Sequence, residues 1–477
     1  MGIALLLLRR TIATRPKRTF LFILGYALAA AVMVTLLAVG EAVLLQAQDK
    51  DLLGGGDLIL VPQGIDLESM KVGGLSALYY SIPQARFLVR QVLKSSRFSA
   101  DIETISPYVV PKLVYLQPSG RQDKNNAVAP VFVEGSIPDS ENRLKKLDFP
   151  WANNASDDSW LNPPAGEFYH EIDHFHLPTV KYPDMDRWAE WHYFNFSSGG
   201  FYGYLSIMAT GDILNNKGQW IVSLQIHDDV YKRYSTVVPV PDRSALPLQR
   251  VDYNAGQTHV EFVDDHYEID LDFHDRFPIR GKLRYDPARG LYFPPTVLAK
   301  NDEFESGYVI PAIRGRYQGS IDVGAKTYDF NNVNGYHDHN WGIWQQIEWN
   351  WGHAFSDEFA IFFGEIFLNK KSKGVFAGVY DQNGFLTLLR PDRIEFSDSR
   401  QQPDGLIVPL KLRMNGEKRF ASLDLSGQAA RFVTTPLEGQ NLYFVQFNMT
   451  YDVNLVLDGT AHRFSASGNA ETFVPAR

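Results

Sequence analysis

From Phe20 to Gly40 the chain reads FLFILGYALAAAVMVTLLAVG, without a single charge. As a helix these 21 residues reach about 31 Å, enough to cross a ~30 Å hydrocarbon core. The run predicts one transmembrane helix over residues 19–45, and no second apolar run of that length follows. Beyond about residue 185 the period changes from helical to alternating. In YEIDLDF, Tyr267, Ile269, Leu271 and Phe273 fall on one face and Glu268, Asp270 and Asp272 on the other, and Met449, Tyr451, Val453, Leu455 and Leu457 repeat the pattern. Such strands are wet on one side only. Turn signals punctuate them at Asn216-Lys217-Gly218, Asn383-Gly384, Asn415-Gly416 and Asp458-Gly459, which read as hairpins. No long amphipathic helix interrupts residues 185–477, so the pattern predicts a mainly β protein of antiparallel barrels or sandwiches, and the length favours two consecutive barrels.

Between the helix and these strands, Gly54-Gly55-Gly56 precedes a short apolar strand, DLILVP, that opens a small module. The stretch PWANNASDDSWLNPP, from Pro150 to Pro164, is rich in turn formers and reads as a linker. The expected division is a basic segment over 1–18, the membrane helix over 19–45, an α/β module over 46–150, and barrels over 151–320 and 321–477.

Charge adds orientation. The first eighteen residues carry Arg9, Arg10, Arg15, Lys17 and Arg18 and no acid, so a chain of net charge −9 has −14 beyond them. A basic flank before a single span places the N-terminus in the cytoplasm and the bulk of the chain outside the inner membrane, in the periplasm. A cleaved signal peptide is the rival reading, but its apolar region is normally only about 7–15 residues long, and no clean small-x-small site appears before Gln46-Ala47-Gln48. The net negative charge argues against a nucleic-acid partner. With no cysteine in 477 residues, disulfides, thiolate catalysis and iron–sulfur clusters are excluded. Neither G-x-G-x-x-G nor G-x-x-x-x-G-K-[ST] occurs, so the chain has no ATPase of its own.

Three patterns carry candidate chemistry. His170-Glu171-Ile172-Asp173-His174 matches H-E-x-x-H, which binds zinc when a helix sets both imidazoles on one face. Prolines at 163, 164, 178 and 183 surround it without a helical stripe, which argues for an irregular polar segment with His174 and His176 at the surface or acting as gate residues. Two His-x-His pairs, His174/His176 and His337/His339, would each face one way on a strand and could chelate a metal as in cupins. Cupins add a Glu four or five residues later, where Ile343 and Trp344 stand here and the next acid is Glu348. The working expectation is therefore chemistry without metal or cofactor. The densest cluster is Gly335-Tyr336-His337-Asp338-His339-Asn340-Trp341-Gly342, followed by Trp344, Trp349 and Trp351. Strand alternation sets Tyr336, Asp338 and Asn340 on one face and His337, His339 and Trp341 on the other. A carboxyl among aromatics has a raised pKa, as a proton donor to a weakly basic group requires, and ring faces stabilise a passing cation. The combination suits protonation of an isolated carbon–carbon double bond. The plainer alternative has Asp338 bonding a loop and the tryptophans filling a core. A second cluster, Trp188-Ala189-Glu190-Trp191-His192-Tyr193-Phe194, mixes an acid with large aromatics.

Two resemblances extend this reading. The basic flank, single span, GGGDLILVPQG and VAPVFVEGSIPDS over about residues 1–145 resemble the start of an FtsX/MacB-type ABC-transporter permease and its extracytoplasmic domain, although the further spans of such permeases are missing. EWHYF at 190–194 and GYHDHNWG at 335–342 resemble the hydroxyneurosporene synthase (carotenoid 1,2-hydratase) and AttH-like family over about residues 165–477, with Gly468 and Glu471 resembling its closing G-x-x-E strand. His192 departs from the tryptophan usual at its place. That likeness implies two consecutive lipocalin-like (calycin) barrels and a long apolar pocket. It casts Asp338 as the acid for an isoprenoid double bond, with His337, His339, Tyr336 and Trp341 orienting water and shielding the cation. Glu190, Trp191, Tyr193, Asn340, Trp341, Trp344 and Trp349 are the expected ligand contacts. Two functions follow as expectations. One is acid-catalysed hydration or cyclisation of an isoprenoid or lipid by a hydro-lyase, and the other is a non-enzymatic lipid-binding accessory subunit of an ABC transporter.

Overall fold

The computed structural model describes residues 14–48, 58–60, 82–93, 99–116, 129–148, 150, 152–161, 165–177, 182–240, 246, 248–300, 305–344, 347–418, 420–437 and 441–476. The chain divides into two compact units, Met1–Ile82 with Thr104–Asp157, and Pro83–Glu103 with Asp158–Arg477. In the first unit, helix α1 (Pro16–Gln48) contains a stretch long and apolar enough to cross a membrane. Most of the expected GGGDLILVPQG strand lies outside the described residues. Strands β1 (Val109–Leu116) and β2 (Ala129–Gly135) form an antiparallel pair. A short helix, α3 (Pro138–Lys145), follows, opened by its proline and closed at Lys146 in the left-handed conformation.

The second unit holds helix α2 (Ile82–Leu93, all but its first residue) and two large antiparallel sheets. The first sheet has twelve strands: β3 (Trp188–Ser197), β4 (Tyr202–Asp212), β5 (Lys217–His227), β6 (Tyr231–Pro239), β7 (Asp252–Ala255), β8 (Thr258–Val263), β9 (His266–His274), β10 (Pro278–Pro287), β11 (Phe293–Lys300), β12 (Glu305–Val323), β13 (Lys326–Asp329) and β14 (Val333–Ile343). Its main path runs β6-β5-β4-β3-β14-β12-β10-β9-β8-β7, with β11 and β13 also pairing with β12. The sheet curls until β6 meets the β9–β10 turn, where Ser235 N donates to Asp275 Oδ2 at 3.1 Å. The second sheet has nine strands: β15 (Ile347–Phe355), β16 (Phe359–Leu368), β17 (Lys371–Asp381), β18 (Gly384–Leu389), β19 (Ile394–Gln401), β20 (Ile407–Lys418), β21 (Ala421–Pro436), β22 (Leu442–Leu457) and β23 (Thr460–Pro475), in the order β18-β17-β16-β15-β23-β22-β21-β20-β19. The protein is thus mainly β, with two lipocalin-like antiparallel barrels.

Alternation explains both interiors. In β9, Tyr267, Ile269, Leu271 and Phe273 are buried while Glu268 and Asp270 are exposed. Trp188, Phe194, Phe196 and Trp220 fill the first interior. Each large apolar side chain so buried contributes roughly 1.5–3 kcal/mol relative to exposure. Leu425, Phe447, Tyr451 and Leu455 fill the second interior. A third apolar cluster, including Tyr308 and Tyr336 from the first sheet and Trp351, Phe362 and Tyr380 from the second, packs the barrels together.

Several expectations need correction. Residue 320 is not a boundary, because it lies within the 19-residue β12, and the sheets divide between Ile343 and Ile347. The stretch from 150 to 164 is not all linker. Asn154 Oδ1 accepts from the backbone of Ser156 at 2.8 Å and Asp157 at 3.2 Å, while Asp157 Oδ2 accepts from Asn154 N at 2.9 Å. That reciprocal cap starts helix α4 (Ala155–Leu161). The H-E-x-x-H region is helical too, forming α5 (Ala165–Asp173). Its support comes from far upstream: Arg86 of α2 pairs with Glu171 and Arg90 lies 4.3 Å over the Phe168 ring. Asn415-Gly416 is no turn, since Asn415 pairs with Asp424 and Gly416 with Leu423 inside the β20–β21 ladder.

Candidate functional site

The two motifs, about 145 residues apart in sequence, are neighbouring strands in register. β14 runs antiparallel to β3, with Asp338 opposite Tyr193, His339 opposite His192, Asn340 opposite Trp191 and Trp341 opposite Glu190. Gly342 ends the motif at φ +127°, and a Cβ there would stand 2.1 Å from the Glu305 carbonyl oxygen, so only glycine lets β14 keep its pairing with β12. Because side chains alternate across a strand, this ladder divides the motif residues between two places.

One face opens on a cavity of about 360 Å³ between the barrels. Trp191, Tyr193, Tyr308, Asp338, Asn340 and Trp344 line it from the first barrel side, and Trp349, Trp351, Phe376, Phe444, Gln446 and Glu471 from the second. Among the expected site residues, Asp338, Trp191, Tyr193, Asn340, Trp344 and Trp349 are brought together here. Asp338 is 6% exposed. Tyr336, behind it, donates its hydroxyl to Oδ2 at 2.9 Å, and Asn340 Nδ2 donates to Oδ1 at 2.8 Å. Burial first, and the charge of Glu471 second, push the Asp338 carboxyl well above the usual carboxylate range, against those two hydrogen bonds.

Glu471 is better solvated by protein. Tyr193 OH at 3.2 Å and Gln446 Nε2 at 3.1 Å donate to Oε1, and Trp349 Nε1 at 3.0 Å donates to Oε2. Burial still raises its pKa, but these three donors favour the anion. Two carboxyls facing one cavity do not ionise together easily, and of the two Asp338 is held further toward its neutral form. This arrangement can give a proton at one wall and take one at the other, with indole and phenol faces between.

The remaining expected residues, His337, His339, Trp341 and Glu190, do not reach that cavity. They point into the first barrel, so a role for the histidines and Trp341 in orienting water around a substrate cation at Asp338 does not fit their position. There they meet Asp173, at the end of α5, and His192. Asp173 Oδ1 is 3.0 Å from His339 Nδ1, and Asp173 Oδ2 is 3.0 Å from His337 Nε2 and accepts from Tyr267 OH at 2.9 Å. His339 Nε2 lies 3.0 Å from Glu190 Oε1. Burial pushes Asp173 up, but the neighbouring histidines hold it well below the ordinary value. Burial likewise opposes ionisation of Glu190, yet His176 and His339 bring it to about 2. Burial pulls His339 down, and the two carboxylates outweigh it to hold the ring up at about 9. His176 stacks on Trp341 at 3.9 Å, and His174 and His176 sit 4.7 Å apart, partly buried rather than at the open surface. His170 does not join His174 as a zinc pair, because its Nδ1 accepts from Val251 N at 2.9 Å. Among the described residues, the groups able to hold a metal are Asp173/His192/His339, His176/Glu190/His339 and the more open Asp252/His259/Glu261.

Sequence reasoning missed Asp173 as more than the middle of H-E-x-x-H, and it placed Glu471 only in a strand signature. The one available signal for Glu471 was its spacing from Gly468, which says nothing of the cavity it faces.

No protein-family model matches the chain, and no curated protein matches it by sequence. Among solved structures, an AttH-like protein of Nitrosomonas europaea is similar at 14% identity, with 63% of this chain and 97% of that chain covered and a TM-score of 0.41. Kievitone hydratase of Nectria haematococca is similar at 11% identity over 64% of this chain and 94% of its own, with a TM-score of 0.42. CghA with Sch210972 is similar at 11% identity over the same shares, with a TM-score of 0.45.

Proposed function

We propose that this protein is a membrane-anchored, extracytoplasmic enzyme of the hydro-lyase type that takes a long apolar ligand between its barrels and hydrates or cyclises a carbon–carbon double bond. The observation that carries the reading is the buried Asp338 carboxyl in the wall of an aromatic cavity, pushed by that burial toward its neutral form. In hydration, the Asp338 proton passes to one alkene carbon, leaving a cation at the other. Water adds there and gives its proton to Glu471, so alkene and water yield alcohol, and proton exchange restores both carboxyls. The faces of Trp191, Trp349 and Trp351 stabilise the cation meanwhile. In cyclisation an internal double bond attacks the cation in place of water, and the new cation so formed loses a neighbouring C–H proton to Glu471 to leave a cyclic alkene. An isoprenoid is the ligand class suggested by the likeness of GYHDHNWG to the carotenoid hydratases.

The test is native mass spectrometry of the full chain in detergent, with extraction of co-purified lipid, comparing wild type with Asp338→Asn. The expected result is a product heavier by one water, or rearranged, on the wild type and its unreacted precursor on the variant. The same unmodified lipid on both would overturn the enzymatic reading. It would favour the second one, a carrier subunit working with an ABC transporter at the membrane face, for which the apolar α1 is the supporting feature.

A further inference from the structure

Behind the β3–β14 ladder, away from the cavity, the first barrel contains an imidazole and carboxylate cluster that the proposed reaction does not use. His192 is 0% exposed, and neither of its ring nitrogens has a hydrogen-bond partner. An imidazole with both nitrogens desolvated and unpaired is costly unless something binds there. Its Nδ1 lies 3.7 Å from Asp173 Oδ2, and its ring stacks on His339 at 4.0 Å. Asp173, His192 and His339 each present one ligand atom within 4.8 Å of the others.

We propose that Asp173, His192 and His339 bind a divalent first-row transition ion such as Zn²⁺, which ties the end of α5 to β3 and β14 inside the first barrel. The donor set favours that class, because imidazole nitrogen suits zinc, copper, iron or nickel rather than calcium or magnesium. The surroundings are those of a metal centre. A ligating histidine ordinarily gives its other N–H to a carboxylate, and His339, facing Asp173 through Nδ1, has Glu190 Oε1 3.0 Å from Nε2. Asp173 is oriented in turn by Tyr267 and His337, and His337 is fixed by its Nδ1, 3.2 Å from the Tyr193 carbonyl oxygen. Binding displaces the Nδ1 proton of His339 to solvent, leaving a neutral imidazole donor. Spacing alone could not find this set, because it takes one histidine from the His337/His339 pair, one from β3 and the acid from a helix end.

The test uses the full chain in detergent, purified without metal-affinity resin, stripped with a chelator and titrated with Co²⁺ and then Zn²⁺. The expected result is one equivalent of Co²⁺ with visible ligand-field absorption of a nitrogen and oxygen site. Zn²⁺ should displace it, and the ion should raise Tm by on the order of 5–10 °C. His192→Gln should abolish stoichiometric binding, and His259→Gln, in the open trio, should leave it intact. Absence of the Co²⁺ spectrum in the stripped wild type overturns the proposal whether or not the variant folds. So does loss of binding in His259→Gln but not in His192→Gln.

Discussion

Asp338 and Glu471 are both carboxyls lining the same cavity, and what separates their roles is the number and kind of their donors. Glu471 accepts from an indole, an amide and a phenol, which suits an anion that must wait for a proton. Asp338 has a phenol and an amide, and the nearby Glu471 charge discourages its own ionisation. If Glu471 is the base, Glu471→Gln keeps the size of the side chain and removes its proton acceptance, while setting an amide N–H against one of its donors. Its kcat should fall by about 10²–10⁴ with the co-purified ligand retained, as read by turnover and by ligand content of the same preparation. An unchanged kcat would leave Glu471 a structural acceptor.

At the scale of elements, the β5–β6 turn carries an anion that ties distant strands. Asp228 accepts from Lys232 Nζ at 2.8 and 2.7 Å and from Tyr328 OH at 2.9 Å, and it pairs with Lys326 at the start of β13. Burial works against its charge, but these donors and the Val230 backbone depress its pKa far below the ordinary value of 3.8. A carboxyl depressed in the fold stabilises above its unfolded pKa and loses that contribution as pH falls through the folded one. Asp228→Asn should therefore lower Tm at neutral pH, with the gap from wild type narrowing as pH falls below about 4. Thermal unfolding followed across that range checks it, and a gap independent of pH would assign the loss to packing. The helical elements teach a related lesson. α4 was written locally in Asn154 and Asp157, a reciprocal cap that substitutes for the usual Ser/Thr and Glu. α5 was not, since Arg86 and Arg90 reach it from about eighty residues away.

For the whole molecule, the cavity exists because two barrels meet. Each barrel supplies about half of its lining, so neither sheet alone forms it. Ser206 of β4 lines the cavity opposite Tyr193 in the β3–β4 ladder. Ser206→Trp should fill part of the ~360 Å³, lower the lipid that co-purifies and raise KM. Undiminished lipid content would mean that the ligand sits elsewhere.

The sequence by itself determined the apolar span in α1, the mainly antiparallel β character and which residues of each strand turn inward. These are local properties of period and composition, and each strand carries its own copy of the signal. It also singled out Asp338 and its aromatic company, because the cluster is contiguous in the chain. Tertiary structure decided the rest. Register between β3 and β14 sent His337, His339, Trp341 and Glu190 into the first barrel and away from Asp338, a partition set by which face of the sheet meets the second barrel. It brought Glu471 to Asp338 across more than a hundred residues, and Asp173 to His192 and His339 from a helix that only long-range contacts stabilise. Pairing partners distant in sequence leave no periodic trace, which is why the acid was legible and its counterpart was not.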